Sequence, residues 1–536
     1  MMKKRFSTLS LLSLLLLASC GTTHSEDTLI PKDYEINTTV INDGGVYYEI
    51  FVRAFADSDF DGIGDFKGVE DKIPYLQDLG INGVWLMPIM ESSSYHGYNV
   101  NNYYEVEPDY GSMTDFENMM SAFNKAGIDV ILDLVINHTG HQVEWFEKSA
   151  SYVTGNDLSD DAKKYADWYT WYQGKPDGVA GTFRQYNNTN WYYLANFDGT
   201  MPDLNLDNEK VRAEILKIAQ FWIDKGVHGF RLDAVLYFYE QQENKNINFL
   251  RWFTTEIKKM LPDAYIVGET WISDNAITNY YSSGIDSQFW FGGALVNGTF
   301  YNAVLDRNGK LFAEKLVNYD NGIKEKNPNA LNSAFLSNHD NNRSAGYAAW
   351  GTSLSKQKLA ASLYLLTAGV PFMYYGEEIG LRGTGRDENK RLPMVWEEKR
   401  GVNKNYEPQP VRDADYNMEN QVTKGAYDLL EEPWSLTNHD RKVISLRNEF
   451  PGLTKAKMSA VNLGAIPLSG ILFEEPSLPN GEILVAHNVG DNALSFTLDY
   501  AFKIIGEINT EQVRPIVDGN KITLEKNSTI LITKGN

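Results

Sequence analysis

Three acidic residues stand where apolar runs of the sequence end: Asp233 in GFRLDAV, Glu269 in AYIVGETW and Asp340 in LNSAFLSNHD. Charge is costly inside a buried strand, so acids at these positions indicate contact with a ligand or with water. A single carboxylate there is usually a helix cap or a solvated loop residue. Three of them gain a chemical meaning, proton exchange with a bound molecule, if the fold brings the three runs together.

Histidines accompany these acids. His96 lies in YHGYN, His138 follows VIN, and His339 directly precedes Asp340, so each comes just after an apolar run. One such histidine is more often structural than catalytic. Because the chain contains only eight histidines, three of them at the ends of runs beside three carboxylates indicate one shared polar pocket.

Eight apolar runs, separated by helix-like segments, predict the elements that hold these side chains. Strands that alternate with helices are typical of an α/β fold, and eight of them favour a (β/α)8 TIM barrel, with a doubly wound open sheet as the alternative. The active site of such a barrel lies at the carboxyl ends of the strands. The three acids would then face one mouth. The runs are VYYEIFVRAF, NGVWLMPI, DVILDLVINH, GFRLDAV, AYIVGETW, DSQFWF, LNSAFLSNHD and PFMYYGEEIG.

The spacing of these runs divides the chain into regions. The third and fourth runs are separated by far more sequence than a barrel loop needs, so we expect a small inserted domain after strand 3, over residues 139–200. The barrel would comprise residues 43–138 and 201–453. Over residues 454–536 short strands with turn residues between them replace the helical pattern, which predicts a C-terminal antiparallel β-sandwich that covers one side of the barrel.

The N-terminus, MMKKRFSTLSLLSLLLLASC, places three cations before a leucine-rich run. This is the pattern of a secretory signal, and its LASC ending resembles the bacterial lipoprotein signal, in which cleavage leaves Cys20 as a lipidated N-terminus. A simple signal peptide and a membrane-spanning anchor are the alternatives, although the run is short for a span. We expect a signal peptide at residues 1–20, a tether at 21–42, and a lipid anchor in the membrane of a bacterial cell envelope, on the periplasmic face or the cell surface.

The composition is that of a globular, acidic protein, with 43% hydrophobic residues and a formal net charge of −22. Removal of the cationic signal would make the charge more negative. Repulsion from phosphate disfavours nucleic acid as a partner, whereas a neutral polymer such as a glucan is compatible. Cys20 is the only cysteine, so no internal disulfide forms. We expect a monomer.

A separate acidic segment, DSDFDGIGD, spaces its aspartates as Asp57, Asp59, Asp61 and Asp65. Alternating oxygen ligands with a glycine turn is the logic of a calcium loop, in which the carbonyl of Ile63 would add a ligand. Gly68 stands where an EF-hand would carry its glutamate, so the segment is not an EF-hand. It predicts a calcium cofactor, and an acidic surface turn is the alternative.

The segments DLVINH, GFRLDAV, GETW and FLSNHD resemble the four signature regions of the α-amylase family, glycoside hydrolase family thirteen. MPDLN at 201–205 is similar to its additional region before the fourth strand, and DSDFDGIGD is similar to the calcium loop of its glucosidases. The resemblance covers about residues 45–450. Within the family the chain most resembles the bacterial group between oligo-1,6-glucosidases and neopullulanases, which includes lipid-anchored α-amylases.

The resemblance implies roles for the three acids: Asp233 as nucleophile, Glu269 as general acid/base and Asp340 as the acid that holds substrate hydroxyls. Such a retaining pair, roughly 5 to 5.5 Å apart, is what glycoside cleavage needs. Arg231 projects on the same strand face as Asp233, and its cation would keep Asp233 ionised. Glu269 has no adjacent cation in the sequence and is followed by Thr270 and Trp271, so we expect a raised pKa, as a proton donor requires.

Further residues would contact the sugar. His138 and His339 would donate hydrogen bonds to it and Tyr98 would stack on its ring; the substrate-binding set is His96, Tyr98, His138, Arg231, His339 and Arg343. Many α-amylases hold a second calcium with an asparagine equivalent to Asn137 and a histidine after the nucleophile. Tyr237 stands at that later position here, preceded by Leu236 instead of lysine, so no second calcium is predicted.

The resulting prediction is a retaining α-glucan hydrolase, foremost an endo-acting α-amylase that cuts α-1,4 bonds of starch-like chains. Ala234, where α-1,6-specific relatives often carry valine, favours α-1,4 bonds. An exo-acting α-glucosidase, a cyclomaltodextrinase or neopullulanase-type enzyme and a transglycosylase share these motifs. A non-catalytic glucan-binding lipoprotein would usually have lost one of the acids, and all three are present.

Overall fold

The structure is a computed structural model that describes residues 45–347, 349–350, 353–397 and 406–535. The predicted signal peptide with Cys20 and the predicted tether at 21–42 lie outside the described residues. Among the helices that are described, none combines the length and the apolar character that crossing a bilayer requires.

Eight parallel strands form the barrel that the sequence predicts. Each strand is hydrogen-bonded to the next in chain order, and strand 1 also pairs with strand 8. The backbone N–H groups of Val370 and Phe372 donate to the carbonyls of Asn332 and Ala334, at 2.7 and 2.8 Å, and so join strand 8 to strand 7. In chain order the strands are Tyr47–Ile50, Gly83–Leu86, Asp129–Leu134, Gly229–Leu232, Tyr265–Gly268, Ser287–Phe289, Leu331–Ser333 and Phe372–Tyr374.

Helices between these strands surround the barrel. The helix Glu209–Asp224 shows why they form: its N-cap Asn208 accepts from Lys210, and apolar residues at helical spacing, from Val211 to Trp222, are buried. The others are Phe66–Asp71, Ile73–Leu79, Met113–Ala126, Glu243–Met260, Asp274–Tyr280, Thr299–Asp306, Gly309–Lys326, Leu354–Leu365, Asp387–Lys390, Ala426–Leu430 and Leu436–Glu449, with one short turn, Val52–Phe55, after strand 1.

The alternation of side chains along each strand sorts the barrel interior into two layers. Residues two apart point the same way, so Tyr47 and Glu49 of strand 1 both face inward, as do Ile131 and Asp133 of strand 3. The apolar members of such pairs fill the floor of the barrel, where Tyr47, Trp85, Ile131, Val267, Phe289 and Phe372 pack in one cluster. The charged members stand one layer higher, at the carboxyl ends, which explains how short apolar strands can end in acids.

Two excursions from the barrel rise beside this layer. After strand 2 an antiparallel pair, Met90–Ser92 and Val100–Val106, carries the segment with His96 and Tyr98 between its strands. Between strands 3 and 4, within residues 139–200, lie the helices Glu144–Val153 and Asp160–Lys163 and a three-stranded antiparallel sheet of Trp171–Gln173, Trp191–Leu194 and Phe183–Gln185.

The C-terminal region consists of two antiparallel sheets, as predicted. One has five strands in the order Lys457–Val461, Leu468–Glu474, Glu482–Asn488, Ser528–Lys534 and Phe502–Ile508; the other has three, in the order Leu494–Thr497, Lys521–Leu524 and Ile516–Asp518. Leu484 and Ile530 of the larger sheet pack on Phe496 and Ile522 of the smaller. The opposite face of the larger sheet joins the core of the barrel, so both of its faces are covered.

Candidate active site

A cavity of about 810 Å³ opens at the carboxyl ends of the barrel strands. It brings together Asp233, Glu269 and Asp340, which strands 4, 5 and 7 carry. Of the predicted sugar contacts, His96, Tyr98 and His138 line it. Arg231, His339 and Arg343 do not line it. The rest of the wall is formed by Tyr95, Phe197, Asp198, Met201, Ala234, Leu236, Tyr237, Trp271, Asp387, Glu388 and Arg391.

Arg231 lies beneath two of the acids, with its side chain fully buried. Its Nη1 is 2.6 Å from Asp233 Oδ1 and its Nη2 is 3.2 Å from Glu269 Oε2. The expectation that Glu269 has no adjacent cation is therefore wrong. The cation comes from the neighbouring strand, where Arg231 is in register with Val267, and a reading of the residues next to Glu269 does not reveal it.

Burial nevertheless raises the pKa of Glu269, with Asp233 and Asp340 adding to the effect and Arg231 opposing it. The direction is the one expected for a proton donor. The backbone N–H of Ala234 donates to Glu269 Oε2 at 3.0 Å. Ala234 adopts a left-handed conformation, with φ of 52°, which costs a residue with a side chain about 1 to 2 kcal/mol. The backbone of strand 4 thus orients the acid of strand 5.

Asp133 is a further carboxylate of the site, fully buried, and sequence reasoning missed it. Both of its oxygens lie 3.0 Å from Nη1 of Arg231, its partner in register on strand 4, and it also accepts from the hydroxyl of Tyr98 at 2.9 Å. Burial raises the pKa of Asp133 to about 7 although Arg231 lowers it. The available signal was the first residue of DLVINH, which points inward beside Arg231 when strands 3 and 4 are aligned.

Asp340 is held by a cation on each side. Its Oδ1 lies 2.8 Å from Nη2 of Arg391 and its Oδ2 lies 2.9 Å from Nε2 of His339. Burial alone would raise the pKa of Asp340, but His339 and Arg391 outweigh it and hold that pKa well below its usual range. Arg391 follows strand 8 and lies about fifty residues after Asp340 in the sequence. No sequence motif indicated it.

His339 is buried behind Asp340 and Tyr98. Its Nδ1 lies 2.6 Å from Oε1 of Glu49, on strand 1, and its Nε2 lies 2.7 Å from the Tyr98 hydroxyl. Burial lowers the pKa of His339, but the carboxylates of Asp340 and Glu49 raise it further, to about 10. The structure thus places His339 as a support for groups that line the cavity instead of as a direct contact.

The other two histidines line the cavity and favour the neutral form. Burial lowers the pKa of His138, whose Nε2 lies 3.2 Å from the carbonyl oxygen of Tyr98. Burial, with Arg391 adding to it, lowers the pKa of His96 to about 4. In the neutral form His138 donates Nε2–H to that carbonyl and its Nδ1 faces the side-chain amide of Asn137 at 3.3 Å. His96 accepts the backbone N–H of Tyr98 at Nδ1, which leaves its Nε2–H as a donor for a hydroxylated ligand.

Exposed aromatic rings form part of the cavity wall. Trp271, two residues after Glu269, is 47% exposed and stacks on Phe291 with a ring-centroid distance of 4.6 Å. Phe197 from the inserted region and Tyr237 after strand 4 contact each other at 4.7 Å and are 42% and 38% exposed. Flat rings of this kind stack on the apolar faces of sugars.

Arg343 differs from the expected sugar contact. It is buried, and its guanidinium donates to the carbonyls of Tyr375 at 2.7 Å and Lys390 at 2.8 Å. The same group lies over the rings of Tyr374 and Tyr375. Arg343 therefore fixes the backbone that follows strand 8, including the segment that leads to Arg391.

The acidic loop after strand 1 brings Asp57, Asp59 and Asp61 together, with one carboxylate oxygen of each within 4.8 Å of the others. Asp65 is not one of these three, and its place among the ligands stays a prediction. Its oxygens accept from Ser58 and, as an N-cap, from the backbone of Gly68. Ile63 donates its N–H to Asp61. The three converging carboxylates suit a hard cation with oxygen ligands.

Known proteins share the sequence and the fold of this chain. The family model of the α-amylase catalytic domain matches residues 49–456. The chain is 37% identical to α-amylase 3 of Dictyoglomus thermophilum over 91% of this chain and 92% of that protein. It is 34% identical to the 4-α-glucanotransferase of Thermotoga neapolitana over 66% of this chain and 76% of that one. The solved structure of Eubacterium rectale Amy13B matches with a TM-score of 0.86 at 34% identity, over 93% of this chain and 97% of that chain.

Proposed function

Because the chain belongs to the α-amylase family of glycoside hydrolases, we propose that it is an endo-acting α-amylase that hydrolyses α-1,4-glucosidic bonds of starch-like polysaccharides and maltooligosaccharides. The observation that carries this proposal is the placement of Asp233 and Glu269 on one open cavity, above one shared cation, Arg231. A nucleophile and a proton donor that flank one bond in the same cavity are what retaining cleavage requires.

The reaction would proceed in two displacements. Asp233 attacks the anomeric carbon while the bond to the leaving oxygen breaks, and Glu269 gives its proton to that oxygen. In the second step Glu269, now a carboxylate, takes a proton from water, the water oxygen attacks the anomeric carbon, and the bond to Asp233 breaks. Arg231 supplies the counter-charge in both steps. Two inversions retain the α-configuration.

The remaining groups of the cavity would hold the sugar. Asp340 keeps its charge between His339 and Arg391 and would accept hydrogen bonds from sugar hydroxyls. His96 would donate from Nε2 to a hydroxyl in its neutral form, with the His138 and Tyr98 rings at the cavity wall against the sugar. The exposed rings of Trp271, Phe197 and Tyr237 offer surfaces for further units, which favours a chain over a disaccharide.

Transfer to a second sugar is the other candidate function. One relative at 34% identity carries the name 4-α-glucanotransferase, and the covalent intermediate is common to both reactions. Exo-acting glucosidases and cyclomaltodextrinases use the same acids. The outcome depends on whether water or a sugar hydroxyl reaches the anomeric carbon first.

A product time course separates these functions. The purified protein is incubated with amylose and, separately, with maltoheptaose, and products are resolved by length. Mixed maltooligosaccharides early in the course support the endo-acting hydrolase; glucose alone supports an exo-acting enzyme; products longer than maltoheptaose support transfer. Proton NMR of fresh product should show the α-anomer, and a β-anomer would contradict the retaining mechanism.

Calcium is proposed as the resident cation of the acidic loop. The carboxylates of Asp57, Asp59 and Asp61 would hold it. Burial raises the pKa of Asp57, and the charges of Asp61 and Asp59 raise it further. The cation would neutralise their repulsion and fix the loop, which packs against Tyr406 and Gln409 through backbone hydrogen bonds. Asp57, Asp59 and Asp61 do not line the cavity, so the cation would make no direct contact with the bond that is cleaved. Metal analysis of protein purified without chelator tests its presence.

We further propose that the protein is anchored to the bacterial cell envelope through lipid on Cys20. The support is the LASC ending of the apolar run. An enzyme held there would release short sugars beside the cell. Metabolic labelling with a fatty acid, followed by fractionation, tests this: the label should enter the wild-type protein and be absent from Cys20→Ser, and equal labelling of both would contradict it.

A further inference from the structure

We propose that Glu49, which does not line the cavity, is a positioning residue: it keeps His339 protonated on both ring nitrogens and so holds Asp340 as a fixed acceptor for substrate hydroxyls. The inference rests on the proposed function for its last step alone. Glu49 lies on strand 1, almost three hundred residues before His339 in the sequence, and it is buried with it.

The argument begins with a count of protons. Nδ1 of His339 is hydrogen-bonded to Glu49 Oε1 at 2.6 Å, and Nε2 is hydrogen-bonded to the Tyr98 hydroxyl at 2.7 Å. Nε2 also lies 2.9 Å from Asp340 Oδ2, as an ion pair. The Tyr98 hydroxyl donates its own proton to Asp133, so each ring nitrogen of His339 must supply the proton of its hydrogen bond, because two lone pairs would repel. A neutral imidazole carries one ring proton, and only the imidazolium carries two. The geometry therefore fits an imidazolium between two carboxylates.

The alternative is a neutral ring beside a protonated carboxyl group. Asp340 does not suit that role, since its other oxygen lies 2.8 Å from the guanidinium of Arg391, which favours the carboxylate. If Nε2 carried no proton, it would also face Asp340 Oδ2 lone pair to lone pair. Charge on Glu49 removes this conflict because it favours the second ring proton.

The imidazolium also orders the hydrogen bonds beyond it. The Tyr98 hydroxyl lies 2.7 Å from Nε2 of His339 and donates its single proton to Asp133 at 2.9 Å. The hydroxyl can donate to Asp133 only if Nε2 of His339 carries a proton and donates it to the hydroxyl oxygen. Asp133 in turn contacts Arg231, the counter-charge of Asp233. Glu49 thus fixes the direction of a chain that ends at the proposed nucleophile.

The other charged and titratable groups around His339 act in both directions. Asp133 on strand 3 favours the imidazolium, whereas Arg231 on strand 4 and Arg391 after strand 8 oppose it. His96 after strand 2 has a pKa lowered to about 4 and is uncharged above that pH. The ring also meets the edge of Trp85, with ring centroids 5.6 Å apart. Burial opposes a charge on either partner and raises the pKa of Glu49. Two carboxylates in direct contact are the groups that overcome these effects.

The test is Glu49→Gln, which keeps the size and a hydrogen-bonding oxygen but removes the charge. The readout is nitrogen NMR of histidine-labelled protein, in which His339→Gln identifies the His339 signals. In the wild type both ring nitrogens should have imidazolium shifts from pH 5 to 9. In Glu49→Gln the transition to the neutral ring should fall by about one to three pH units, the effect of one adjacent opposite charge.

Kinetics provide the second readout. The alkaline fall of kcat/KM on maltoheptaose should move to lower pH in Glu49→Gln, and Glu49→Asp, which restores the charge, should return part of the shift. Glu378→Gln is the matched control: this buried glutamate accepts from Tyr48 and Tyr75 and does not touch His339. It should lower the melting temperature and leave both pH curves in place.

Each outcome decides one question. A neutral His339 ring in the wild type at pH 7, or an unchanged transition in Glu49→Gln, would overturn the role of Glu49. The wild-type spectrum decides this even if the variant does not fold. Absence of any glucan cleavage by the wild type would instead remove the proposed function while the NMR result still stands.

Discussion

The molecule contains two acid-rich regions that solve the same electrostatic problem in opposite ways. At the barrel mouth Asp133, Asp233 and Glu269 converge on one internal cation, Arg231. In the loop after strand 1 Asp57, Asp59 and Asp61 also converge. Within the described part of the chain no lysine or arginine forms an ion pair with them, and their partners are backbone N–H groups of the loop itself.

The difference shows which region depends on the solution around it. Carboxylates that share a buried guanidinium keep their arrangement without any added ion, because the counter-charge is part of the chain. Carboxylates that face one another across a turn repel until a cation arrives from outside. Chemistry in the first region should therefore be sensitive to substitution, and stability in the second should be sensitive to metal.

The largest effect on turnover should come from a substitution at the barrel mouth. Asp233→Asn removes the proposed nucleophile and should lower kcat on maltoheptaose by about 10⁴-fold or more, as loss of a covalent catalytic group does. The control is Asp263→Asn, at an exposed acid before strand 5, at the opposite end of the barrel. Reducing-end assays should show full activity for the control; comparable rates for Asp233→Asn and the wild type would contradict the assignment.

Removal of the internal cation should affect both activity and stability. Arg231→Met leaves Asp133, Asp233 and Glu269, of which the first two are buried, without their partner, so we expect a loss of about 3 to 5 kcal/mol in the free energy of unfolding and at least about 10²-fold in kcat. Arg447→Met removes an equally buried arginine that donates to the carbonyls of Leu365 and Thr367.

Urea unfolding and initial rates measured on both variants separate the two roles. Both should be less stable than the wild type, but only Arg231→Met should lose kcat beyond its folded fraction. Equal specific activity in the two variants would mean that Arg231 serves packing alone.

The calcium ion proposed for the acidic loop should affect stability and not turnover. Chelation with EDTA should lower the melting temperature of the wild type by several degrees, since a ligand present at a hundred times its dissociation constant adds about 2.7 kcal/mol. The combined change of Asp57, Asp59 and Asp61 to asparagine should give a protein with the lower melting temperature and no response to EDTA. Asp263→Asn should respond as the wild type does, and an EDTA effect that persists in the triple variant would place the metal elsewhere.

The smallest effect on turnover should come from Arg343. Its guanidinium binds backbone carbonyls and tyrosine rings outside the cavity wall, so Arg343→Met should change KM for maltoheptaose by less than about two-fold while it lowers the melting temperature. If Arg343→Met raised KM ten-fold and left the melting temperature unchanged, Arg343 would be a sugar contact, as the sequence suggested.

The sequence predicted best what depends on a single strand. The period of two points Asp233 and Glu269 inward at the ends of strands 4 and 5, and the barrel rule then brings them to one mouth with Asp340, which follows strand 7. It predicted least what depends on neighbours in space. The contact of Arg231 with Glu269 requires the register of strands 4 and 5, and the pairing of Arg391 with Asp340 requires the path of the chain beyond strand 8. Arg343 follows a signature segment, yet its side chain turns away from the cavity, and no local pattern encodes that direction.

The pairing of strand 1 with strand 8 sets the time at which the site can exist. Tyr47 is in register with Phe372, so the first strand cannot complete its ladder until more than three hundred further residues are available. Contacts this distant in sequence form slowly during folding. Glu49, which strand 1 carries, and Arg391, which follows strand 8, reach His339 and Asp340 only when the ring has closed. A chain that has not yet closed the ring therefore lacks this arrangement of the acids, and the site exists only in the finished barrel.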